Sequence, residues 1–67
     1  MLPKKKTTLL ALDCAEIFSR EEPEKVYYVV DRERCATRFT ANTDMLALYI
    51  GRGYHVIAKF QNGVKML

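Results

Sequence analysis

One histidine, two cysteines and three closely spaced glutamates are the first residues of this chain to weigh for proton or nucleophile chemistry. His55 is the only side chain whose unperturbed pKa lies near neutrality, so a general base working at pH 7 would have to be this residue. Cys14 and Cys35 stand 21 positions apart. With a single histidine in the chain, no CxxC or HxxxH spacing exists to hold a metal. Glu21, Glu22 and Glu24 flank Pro23, which pushes Glu22 out of helical geometry, so they read as a solvated connection and not as a paired acid and base. No Ser-His-Asp, Cys-His or phosphate-loop pattern is present. The expectation is a protein that is not an enzyme and carries no catalytic residues, metal or cofactor.

Binding chemistry is better represented. Arg32, Arg34 and Arg38, with Lys25 nearby, could read phosphates from a hairpin, but Asp31 and Glu33 interleave with them and favour a self-neutralised turn. The formal charge is +3, unevenly placed: all eight acids lie between Asp13 and Asp44, and beyond Met45 the charged residues are Arg52, Lys59 and Lys65. Such asymmetry permits an anionic partner without demanding one.

Sixty-seven residues make one domain at most. A chain this short buries only ~60% of the surface its unfolded form exposes, so its core must be thin. The longest unbroken apolar run is residues 45–50, far short of the ~20 needed to cross a bilayer. Lys4-Lys5-Lys6 before residues 9–12 superficially suggests a leader, but Asp13 and Glu16 interrupt its apolar part. The expected setting is cytoplasmic, with both thiols reduced, and a Cys14–Cys35 disulfide is the alternative.

The elements that must position these groups are legible from their punctuation. Residues 1–6 read as a flexible basic tail and 7–67 as a single α+β domain. Thr7 or Thr8 can cap a helix that ends near Glu21 or Glu22, with Leu10, Cys14, Ile17 and Phe18 on one face. Three lysines near its start oppose the helix dipole, which leaves an extended conformation for residues 7–12 as an alternative. Residues 26–30 (VYYVV) form a strand by composition, 31–34 a polar connection and 35–40 a second strand. Pairing Val30 with Cys35 sets Tyr28 against Thr37 and Val26 against Phe39. Asn42 or Thr43 caps a second helix whose residues Met45, Leu46, Leu48, Tyr49 and Ile50 leave only a narrow polar stripe, so it is expected to be largely buried. Gly51 or Gly53 stops it, and Tyr54 can fold back on Tyr49. Residues 54–60 alternate as a third strand, Asn62-Gly63 is a hairpin turn, and 64–67 form a short edge strand.

The order is therefore α-β-β-α-β-β: a small antiparallel sheet of three to four strands with one or two helices packed on one face. This register assigns Val26, Tyr28, Val30, Cys35, Phe39, Tyr54, Val56, Ala58 and Phe60 to the covered face. It leaves Tyr27, Val29, Arg38, His55, Ile57 and Lys59 on the other as candidate partner-binding residues. An aromatic, aliphatic and basic face suits a protein contact, a homodimer or stacked bases, unless the first helix covers it and leaves nothing exposed. The leading expectation is a small regulatory or inhibitory adaptor of the kind compact, mobile or phage-like genomes encode, docking on a larger protein and open to self-association. The alternative is a nucleic-acid-binding module using the same face.

Gly53-Tyr54-His55 followed by Phe60 and Gly63 also resembles, over about a dozen residues, a segment of the small toxin ribonucleases with a double-stranded-RNA-binding fold. That resemblance would make His55 a general base. The family's Ser-His pair is missing because position 54 is tyrosine, so the activity is not carried over.

Overall fold

The computed structural model describes residues 2–66, and their side chains from residue 7 on. The elements run α1 (Leu2–Glu21), β1 (Tyr27–Asp31), β2 (Arg38–Thr40), α2 (Thr43–Gly51), β3 (His55–Gln61) and β4 (Val64–Lys65). The four strands form one antiparallel sheet in the order β2-β1-β3-β4. Because β2 and β3 both oppose β1, they run parallel to each other, and α2 is the crossover that carries the chain over β1 between them. The α+β order expected from the sequence is the order observed.

α1 begins at Leu2, so Thr7 and Thr8 lie inside the helix instead of capping it, and the extended alternative for residues 7–12 does not occur. An exposed cation near a helix N-terminus costs only about 0.3–1 kcal/mol, which docking of the helix outweighs. The docked stripe is Ala11, Ala15 and Ser19, spaced four apart, each at most 5% exposed. Small residues there let the helix axis approach the sheet closely. Ser19 Oγ donates to the Glu16 carbonyl at 2.8 Å and accepts from the Gly63 amide at 3.0 Å, tying α1 to the β3–β4 turn. The expected stripe of Leu10, Cys14, Ile17 and Phe18 is instead left beside the contact, with Leu10, Ile17 and Phe18 all exposed.

The β1–β2 register is also three residues from the expected one. Val30 faces Arg38, Val29 faces Phe39 and Tyr28 faces Thr40. The cause is local: Arg34 adopts a left-handed φ of 68°, and the Cys35 amide closes a turn onto the Arg32 carbonyl at 3.0 Å. Cys35 is thereby spent on the turn, and β2 shrinks to Arg38–Thr40. An odd shift exchanges faces. Tyr27, Val29, Phe39, Ala58 and Phe60 now gather under α1 with Ala11 and Ala15, forming the core. Val30, one position along β1 and so on the opposite side, is also fully buried. The register slips again between Val29 and Val30, leaving Ile57 as an extra residue on β3.

Both turn signals hold. Asn62 (φ 53°) and Gly63 (φ 77°) supply the two left-handed residues of the tight β3–β4 hairpin. Asn42 caps α2, its Oδ1 accepting from the amides of Asp44 and Met45 at 2.8 and 3.0 Å. Gly53, at φ 96°, is the left-handed stop, and Tyr54 returns to Tyr49 with ring centroids 5.0 Å apart. Among the described residues no helix is long and apolar enough to cross a membrane.

Candidate functional site

The six residues expected on one open face are divided by the observed register. Tyr27 and Val29 belong to the core under α1, Val29 with none of its surface exposed. The Tyr27 hydroxyl donates to the Glu22 carboxylate. That bond, burial and the charges of Glu22, Glu21 and Glu24 push the phenol up to about 12. The same bond, aided by Lys25, holds the Glu22 carboxyl below its ordinary value. Tyr27 is thus the tie between the end of α1 and the sheet.

Tyr28 takes its place on the face away from α1. It sits opposite Lys59, whose Nζ lies 5.7 Å from the centre of the Tyr28 ring. Ile57 and Arg38 are exposed, so four of the expected residues remain accessible: Arg38, His55, Ile57 and Lys59. His55 does not sit with the others. After the bulge it pairs with Asp31, whose carboxylate accepts from Thr37 Oγ1 at 3.0 Å, and Thr37 Oγ1 in turn meets Thr8 Oγ1 of α1 at 2.7 Å. His55 therefore belongs to the α1 side of the sheet end. The chain's one serine, Ser19, is buried with both hydroxyl roles taken. Among the described residues, no group of three His, Cys, Asp or Glu side chains is placed to hold a metal. Cys14 and Cys35 are both free and half-buried.

The surface that sequence reasoning placed inside the protein is α2. None of its residues is buried. Leu46 and Tyr49 turn inward, while Met45 (40% exposed) and Leu48 (52%) form one flank with Arg52 at the i, i+3, i+7 spacing, and Ile50 (51%) forms the other. Ala47 and Gly51 occupy the outermost line, and a Cβ added at Gly51 would meet nothing within 4 Å. A helix apolar on nearly every side is either a core helix or a contact helix, and the same pattern reads both ways. The distinguishing signal is the lack of a second apolar layer in so short a chain. The α1–sheet contact already uses Phe39, Ala58 and Phe60, and little remains to enclose α2.

Two shallow grooves follow the junction of α1 with β2. One, of about 570 Å³, is lined by Phe18, Glu21, Glu22, Tyr27, Phe39 and Thr40, with the three rings 5.6–6.3 Å apart. The other, of about 210 Å³, is lined by Thr7, Leu10, Ala11, Cys14, Thr37 and Phe39. They share Phe39. The chain matches no protein-family model, no curated protein and no solved structure with which it was compared.

Proposed function

We propose that this chain is a small non-enzymatic adaptor that acts by docking on a larger protein, with α2 entering an apolar groove of that partner. The observation that carries this reading is α2 itself: six consecutive apolar residues, 45–50, of which none is buried. Helix-in-groove recognition uses apolar anchors at this spacing. Met45, Leu48 and Ile50 serve as the anchors, Ala47 and Gly51 allow close approach, and Arg52 selects a groove with an acidic rim. Ile57, Arg38 and Lys59 extend the contact onto the sheet.

A nucleic-acid-binding role draws on Arg38 and Lys59. It needs free aromatic faces for stacking, and Tyr28 is half-buried with Lys59 already over its ring. The protein contact is therefore the better supported of the two.

The test is capture from a lysate of the source cells at about 0.5 M salt, where exposed ion pairs are screened over a few ångströms. Wild type is compared with Leu48→Glu and with Arg38→Ala/Lys59→Ala. A defined protein retained by wild type and by the double variant, and lost with Leu48→Glu, is the expected result. A ligand that leaves with salt, follows the double variant and proves to be nucleic acid would overturn the reading.

A further inference from the structure

We propose that a second copy of this chain occupies the flank of α1 that faces β2, with the two α1 helices antiparallel and the two-fold axis beside Cys14. This surface is separate from α2. Three observations carry the proposal.

The first is the apolar stripe that the sheet does not use. Leu10 (55% exposed) and Phe18 (43%) lie four residues either side of Cys14 and rotate away from the docked Ala11–Ala15–Ser19 line. An axis at Cys14 makes the stripe self-complementary, setting Leu10 of one copy against Phe18 of its partner, as an isologous contact requires.

The second is that each copy presents a recess where the other presents a ring. Leu10, Cys14 and Phe39 line the groove of about 210 Å³. With the axis beside Cys14, the partner's Phe18 arrives opposite Leu10, at the mouth of that groove.

The third is charge. The start of α1 is charged against the helix dipole, with Lys4, Lys5 and Lys6 in its first turns and no acid there, while its end carries Arg20 and Glu21 with Glu22 and Glu24 following. At ~1.5 Å per residue, the lysines lie about 12–15 Å before Cys14, and the glutamates begin about 10 Å after it. An antiparallel partner brings each lysine cluster level with the other copy's acids. An arrangement that is unfavourable within one helix thereby becomes complementary between two.

The decisive experiment combines mass and proximity. Light scattering after size exclusion should give twice the 7.8 kDa chain mass. Leu10→Glu, an exposed position whose loss leaves the core untouched, should weaken the dimer about tenfold or more with an unchanged circular dichroism spectrum. On a Cys35→Ser background, a short bismaleimide linker should join two chains through Cys14, and Cys14→Ser with Cys35 retained should abolish the product. Lys6→Glu should weaken association, and adding Glu21→Lys should restore it, as expected of antiparallel helices. Leu48→Glu should leave the dimer intact, which separates this proposal from the one for α2. A monomer at about 100 μM, far above a micromolar dissociation constant, would overturn the proposal. So would a dimer indifferent to Leu10→Glu, or one cross-linked through Cys35 alone.

Discussion

Replacing Val29 with alanine tests the observed register, because the expected and observed pairings place this side chain on opposite faces. In the structure Val29 has no exposed surface and packs among Ala15, Phe39 and Ala58. Removing two carbons forfeits about 1.6 kcal/mol of transfer free energy at ~0.8 kcal/mol per methylene. The void they leave between helix and sheet adds about 1 kcal/mol. The sum, about 2.5 kcal/mol, is large beside the roughly 3–10 kcal/mol that a chain of this length has in total. Ile57→Ala removes three carbons from a side chain that is 39% exposed, and should cost about 1 kcal/mol or less. Urea unfolding, with a slope near ~1 kcal/mol per molar for so small a domain, should shift its midpoint by about 2.5 M for Val29→Ala and under about 1 M for Ile57→Ala. Equal shifts, or the reverse order, would refute the assignment of Val29 to the core.

Other perturbations probe separate joints. Tyr27→Phe deletes the bond to Glu22 and should lower the thermal midpoint near neutrality. The Tyr27 phenol is raised from 10.0 to about 12, so the bond's contribution is complete below pH 10 and fades as pH rises through 12. The Glu22 carboxyl is lowered from 4.5, so the same contribution fades as pH falls below 4.5, and the wild-type advantage measured by denaturation across pH should shrink at both ends. Ala15→Leu forces a large side chain between α1 and the sheet and should destabilise by about 1–3 kcal/mol or more, read from the thermal midpoint. Gly51→Ala, with open space and a helical backbone, should stabilise the isolated chain by about 0.5–1 kcal/mol. Gly53→Ala, at φ 96°, should destabilise it by about 1 kcal/mol. Asn42→Ala removes the α2 cap and should cost about 1 kcal/mol, with amide exchange rising first at Asp44 and Met45.

Features set by a few neighbouring residues were legible in the sequence. Asn62-Gly63, the Asn42 cap and the Tyr49–Tyr54 contact each need only local geometry, and each is present. Features set by a choice between near-equal faces were not. In VYYVV every position is apolar, so β1 carries no alternation to reveal whether Val29 or Val30 faces the helix; the left-handed Arg34 turn decides it. α1 offers two adjacent stripes, and the sheet takes the small Ala11–Ala15–Ser19 line because close approach gains more contact than large side chains held at a distance. α2 departs from its expected burial for a third reason. Its composition is that of a core helix, and only the amount of apolar surface available to enclose it shows that this chain has no such core to offer. Of the candidate site, Arg38, Ile57 and Lys59 stayed accessible, Tyr27 and Val29 did not, and His55 moved to the α1 side through a bulge that no sequence pattern announces.

Hydrogen–deuterium exchange on the chain alone and saturated with its captured partner addresses the proposed role of α2 most directly. Protection appearing at residues 45–50, with the already buried β1 amides little changed, is the result this account predicts. Protection confined to the strands around Arg38 and Lys59, released by salt and leaving α2 as exposed as in the free chain, would contradict it.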